Sequence, residues 1–122
     1  MADAGTLATT AQVLLAIGDG ASADQILEAN TNCWILYAES DMNKVSGGQD
    51  FVTNYASIEA GYKQYLANVS AARAAWYAIQ QNQDSWDLET AQSKLNVSLK
   101  SWKDFIKDVE PKDQDVICKM GL

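Results

Sequence analysis

Apolar residues recur at intervals of three or four along most of this chain, and that spacing predicts helices rather than strands. From Ile58 the stripe Ile58, Tyr62, Tyr65, Val69, Ala72, Trp76 and Ile79 runs without a break. One side of a helix of about 24 residues, roughly 36 Å long, should therefore face a core. The Ala-rich run Ala71, Ala72, Ala74 and Ala75 predicts the close approach of another helix on an adjacent side. A second stripe, Leu88, Ala91, Leu95, Leu99, Trp102, Ile106 and Val109, predicts a helix over residues 86–109, capped by Asp84 or Ser85 and stopped by Pro111. Its other side, with Lys94, Lys100, Lys103 and Lys107, reads as a solvated face.

Ahead of these, Ile26, Leu27, Cys33, Trp34 and Tyr37, with Ser22 and Gln25 at capping-box spacing, predict a helix over residues 23–39. Thr9 or Thr10 can cap a short helical turn through Ala11 to Ile17, which Gly18-Asp19-Gly20 ends, and a short strand is the alternative for the same residues. Residues 1–8 are small and polar and should fray. Residues 41–49 show no periodicity and contain Gly47-Gly48, so they predict a loop long enough to reach a neighbouring surface. The expectation is an all-α protein: a small helical bundle of three main helices plus a short N-terminal helical turn, with an extended C-terminal tail. Residues 1–110 form the helical domain and residues 111–122 the C-terminal arm, whose Val116, Ile117, Met120 and Leu122 are expected to dock.

Length permits one core and not two, since 122 residues bury too little surface for a pair. Charge is unevenly placed. The first fifty residues carry one base against seven acids, a balance of −6, out of −7 for the whole chain. Such a front half does not attract phosphate, which disfavours a conventional nucleic-acid or anionic-membrane binder. No run of apolar residues approaches a membrane span, and no basic segment precedes the apolar run Val13–Ile17 as a secretory signal requires. The reading is a soluble chain that stays in the compartment of its synthesis. Cys33 and Cys118, far apart, read as reduced thiols.

The sequence has no His, so the usual general base and zinc ligand are missing and no cofactor or metal is expected. The carboxylate groups Glu39 with Asp41, and Asp84 with Asp87 and Glu89, sit where acids cap helices and solubilise loops. The aromatic stripe of Tyr62, Tyr65 and Trp76 reads as core. Four Trp are more than one small core needs, which makes Trp34, Trp86 and Trp102, together with Asp41 and Lys44 of the predicted loop, candidates for a subunit interface.

The run Asp50-Phe51-Val52-Thr53-Asn54-Tyr55-Ala56, leading into a long helix that closes on Ala78-Ile79, resembles the head-to-tail connector (adaptor) proteins of tailed bacteriophages. The resemblance covers roughly residues 20–80 and fades after Ile79. It implies a non-enzymatic virion structural protein: a small helical bundle assembling as a homo-oligomeric ring, commonly twelve-fold, beneath the portal protein. The ring would join the portal to a tail or nozzle protein and line a channel through which DNA passes without specific binding. The resemblance also implies a location at the head-tail junction of the virion, the host cytoplasm during assembly, no membrane, and a C-terminal arm that reaches the portal. A second reading of the acidic front half is a small interaction module that presents carboxylates in place of DNA phosphates to a basic host protein.

Overall fold

Thr9 opens the first helix through a reciprocal capping box. Its hydroxyl accepts the Gln12 backbone N–H at 3.2 Å, while the Gln12 side chain accepts the Thr9 N–H at 2.8 Å. Gly18 closes this helix at φ 84°, a left-handed conformation that a Cβ would strain. The computed structural model describes residues 5–18, 27–46, 50–81 and 88–109. Within them the protein is a bundle of four helices: α1 (Thr10–Ile17), α2 (Glu28–Val45), α3 (Ala60–Gln81) and α4 (Leu88–Val109), with a single 3-10 turn (Tyr55–Ser57) and no strand among the described residues. The predicted arm, including Val116, Ile117, Met120 and Leu122, lies outside the described residues, as do Gly47-Gly48, Ser22, Gln25, Asp84, Asp87 and Trp86.

Helix α3 packs against each of the other three helices. Its neighbours explain its composition. Where α1 and α2 approach, the contact is made by Ala71, Ala74, Ala75 and Ala78 against Val13, Ile17, Trp34, Ile35 and Ala38. Side chains this small let helix axes come close, so the Ala-rich side of α3 is its most buried one. The stripe expected to face the core is buried only at Ile58, Val69 and Ile79, with Tyr62, Tyr65, Ala72 and Trp76 at the flanks. A helix wrapped by three neighbours has no single core-facing stripe, and the rings fit where there is room for them.

The second core group joins Leu7, Met42, Phe51, Ile58, Leu66, Val69, Trp102, Phe105 and Val109. On α4 the predicted stripe holds at Ala91, Leu95, Trp102 and Val109, and Ser98 and Phe105 join it. Phe105 stacks on Trp102 with ring centres 5.6 Å apart and tilts against Phe51 at 6.0 Å. Complete burial of a Phe side chain contributes about 1.5–3 kcal/mol. Lys94 departs from the solvated face: its ammonium donates to the Ile17 carbonyl at 2.7 Å, where the end of α1 presents partial negative charge.

Two boundaries differ from expectation. Leu27 is extended (φ −65°, ψ 128°), so α2 starts at Glu28 and not at residue 23. At its other end α2 continues through residues 41–45, a stretch whose lack of periodicity predicts loop, because Met42 is fully buried and Asp41 is held from α3. The expected fraying of residues 1–8 also fails for the part described. Leu7 and Ala8 are buried, and the Glu39 carboxylate, itself buried, accepts the backbone N–H groups of Thr6 and Leu7. Glu39 is thus neither a helix cap nor a solubilising acid but a tie between the N-terminal segment and α2.

Candidate interaction surfaces

The segment Asp50–Tyr55 is a turn built from its own polar atoms. Asp50 Oδ1 accepts the Thr53 backbone N–H at 3.0 Å, and Oδ2 accepts the Thr53 hydroxyl at 2.7 Å. The bonds from Thr53, backbone first, hold the Asp50 carboxyl below the ordinary carboxylate range. Asn43, in the last turn of α2, clasps the segment from the other side. Its carbonyl oxygen accepts the Phe51 N–H at 2.9 Å and its amide donates to Asp50 Oδ1 at 3.4 Å. The clasp delivers Phe51 into the core. Asn54 then passes the chain to the 3-10 turn, its N–H donating to the Asp50 carbonyl at 3.1 Å and its carbonyl accepting from Ser57 at 2.9 Å. Tyr55 is half-buried, with the Lys63 ammonium 4.7 Å above its ring, and Val52 is half-buried as well. Asp50, Phe51, Thr53 and Tyr55 of this motif therefore act through their side chains in directing the chain into α3, and Asn54 through its backbone.

The candidate interface tryptophans divide differently from expectation. Trp34 and Trp102 are only 8% and 7% exposed, so neither is available to a second subunit. A bundle whose central helix is rich in Ala has little bulk of its own, and the large rings on α2 and α4 fill the space. Lys44 is exposed in the last turn of α2. Asp41 faces inward. Its Oδ2 is 3.2 Å from the Nε of Arg73 and also accepts the Tyr77 hydroxyl.

Arg73 is the one arginine of the sequence, and no stripe or motif singles it out. Its guanidinium lies 4.5 Å from the ring centres of both Trp76 and Trp102 and 5.1 Å from that of Tyr77. It therefore joins α2, α3 and α4 through one planar group. A signal was present: Trp76 and Tyr77 follow Arg73 by three and four residues, the helical spacing at which side chains meet. Partial burial, and then the Asp41 hydrogen bond, raise the Tyr77 phenol above its ordinary value.

Among the described residues, large apolar side chains are exposed on α1, α2 and α4 and at Leu27, just ahead of α2. On α2, Leu36 and Tyr37 are about half exposed, and a hydrogen bond with Cys33 raises the Tyr37 phenol. On α1 and α4, Leu15 is 82% exposed and Val97 72% exposed. Val97 borders two grooves. One lies between α3 and α4, lined by Tyr65, Val69, Lys100, Ser101, Asp104 and Asp108, and the other brings Ala16 of α1 together with Ser93, Lys94 and Ser98. Leu15 borders a third groove with Gln64, Asn68 and Ala71. No residue of α2 lines any of the three. Inside the first groove the Tyr65 hydroxyl donates to Asp108 Oδ2 at 2.7 Å, and partial burial, then this bond, push its phenol well above the ordinary range.

None of the helices in the described residues is long and apolar enough to cross a membrane. Among those residues no three acids or cysteines are grouped to hold a metal ion. No family model, curated protein or solved structure matches this chain.

Proposed function

We propose that this chain is a non-enzymatic virion structural protein, a head-to-tail connector that forms a homo-oligomeric ring between the portal and the tail of a tailed bacteriophage. The observation that carries the reading is the presence of exposed apolar residues on separate helices of a small bundle: Leu36 and Tyr37 on α2, Leu15 and Val97 on α1 and α4. A ring of identical subunits needs two different, complementary surfaces on each copy. The likeness of the Asp50–Tyr55 segment to such connectors supports the same reading. The net charge of −7 suits a channel wall along which DNA moves without sticking.

The acidic-module reading has less support, because Glu39, Asp41, Asp50 and Asp108 are engaged in hydrogen bonds within the chain. The same internal ties on Glu39 and Asp41 leave that carboxylate pair poorly placed for acid-base chemistry. Electron microscopy of the full chain mixed with portal protein tests the proposal, and a ring of density on the portal is the expected result. Particles lacking this protein that still retained packaged DNA and joined tails normally would sink it.

A further inference from the structure

The exposed side of α2 and the groove between α3 and α4 each carry an apolar end and a charged end, and the two charged ends are opposite in sign. We propose that α2 of one copy of this chain packs into the groove between α3 and α4 of a second copy, with Leu36 seated against Val97 and Lys44 facing Asp104 and Asp108. This deepens the ring reading and rests on it.

Leu36, Ser40 and Lys44 are spaced i, i+4, i+8 and share one side of α2, and all three are exposed. Tyr37 lies on the adjacent side, in the row of Cys33 and Asp41, with its ring edge-on to that of Tyr77 at 5.8 Å. The side of Leu36 is therefore apolar at one end, small and neutral in the middle, and basic at the other, where Lys44 is the sole base of the first fifty residues. Val97, Ser101, Asp104 and Asp108 are spaced i, i+4, i+7, i+11, share one side of α4, and line the groove with Tyr65, Val69 and Lys100. The groove is thus apolar at Val97 and acidic at its far end.

With the two helices parallel and Leu36 level with Val97, Ser40 comes level with Ser101. Lys44 then comes level with Asp104 to within about one residue rise, ~1.5 Å. Reversing α2 within the groove sets Leu36 among the two acids and Lys44 beside Lys100. Charge and polarity therefore both select the parallel arrangement, while the apolar side chains supply the attraction by leaving water. A ridge of one helix settling between two others is the ordinary geometry of helix packing. The contact uses α2 of one copy and the groove of the next, so it repeats from copy to copy, as a ring requires.

The test is sedimentation velocity of the full-length chain over a concentration series, with Lys44→Glu, Asp104→Lys, the double variant and Leu36→Asp, each checked by circular dichroism for unchanged helix content. The expected result is that the wild type assembles and each single charge reversal raises the concentration of half-assembly about three- to tenfold, because attraction becomes repulsion. The double variant restores the pair in reverse and returns to within about threefold of wild type, Asp108 still opposing the acid placed at position 44. Leu36→Asp, which puts a charge against Val97, prevents assembly over the series. Single variants that all assemble like the wild type overturn the contact, and so does a wild type that stays monomeric throughout. Imaging the same proteins on portal separates the two proposals. A ring that forms equally with wild type and every single variant sinks the α2-to-groove contact alone, whereas no ring with any of them sinks the connector reading as well.

Discussion

Glu39 accepts the backbone N–H of Leu7 at 2.6 Å, across 32 residues of sequence, and the same carboxylate oxygen accepts that of Thr6 at 2.6 Å. Two donors that would otherwise be unpaired are satisfied by one buried charge, and the N-terminal segment is pinned to α2. Replacing Glu39 by Ala is expected to destabilise the fold by about 3 kcal/mol, through loss of charge-assisted bonds and stranded N–H groups. Glu39→Gln keeps an acceptor and should cost roughly half as much. Urea denaturation measures both, and hydrogen exchange at Thr6 and Leu7 should quicken in Glu39→Ala before the helices are affected.

Gly5 lies against the same contact. A Cβ at this position would overlap Cγ2 of Ile35, a fully buried side chain, and stand 3.3 Å from Glu39 Oε2. Gly5→Ala is therefore expected to lower stability by about 1–3 kcal/mol, the range for overpacking a filled core. A urea midpoint unchanged from wild type would show that the segment does not press on Ile35.

Arg73 offers a test that separates charge from shape. Lys in its place keeps the positive charge for Asp41 but loses the planar surface shared by Trp76, Trp102 and Tyr77. Arg73→Lys should cost about 1–2 kcal/mol. It should also change the tryptophan emission spectrum of the folded state, since two of the four Trp flank the guanidinium.

Ser70 is the opposite case. It is fully buried on α3 and its hydroxyl has no hydrogen-bond partner among the described residues. Ser70→Ala removes an unpaired polar atom and places the best helix former in a helix already rich in Ala. A gain of about 1 kcal/mol is expected. A loss measured by thermal unfolding would mean that the hydroxyl is satisfied after all.

The Tyr65 phenol makes stability depend on alkaline pH. Its folded pKa lies above the unfolded value near 10, by burial and by donation to Asp108. The folded state thus binds this proton more tightly than the unfolded state. Its contribution is complete below about pH 10 and is lost as pH rises from there towards the folded value. Tyr65→Phe should be less stable than wild type at neutral pH by about 1 kcal/mol, with the gap narrowing as pH rises above about 10. Urea midpoints of the two proteins across that range give the comparison directly.

Much of the secondary structure can be read from neighbours in sequence, because helix formation and capping are decided within a few residues. The stripes ending at Ile79 and Val109, the Thr9–Gln12 capping box and the Gly18 stop are all of this kind. The site was less legible. The motif Asp50–Tyr55 could be picked out, but its use as a turn clasped by Asn43 depends on α2 reaching residue 45. That last stretch of helix has little periodicity of its own. It is held by Arg73, 32 residues away, and by burial of Met42. Likewise the burial of Trp34 and Trp102 depends on α3 being a slim, Ala-rich centre, and that of Glu39 on the N-terminal segment lying over it. Local propensity is thus enough to say that this chain is helical. Which side of α3 is core, where α2 ends, and which apolar residues, Leu36 and Val97 among them, stay in water are matters of contact between segments distant in sequence, where loop closure and packing outweigh any local preference.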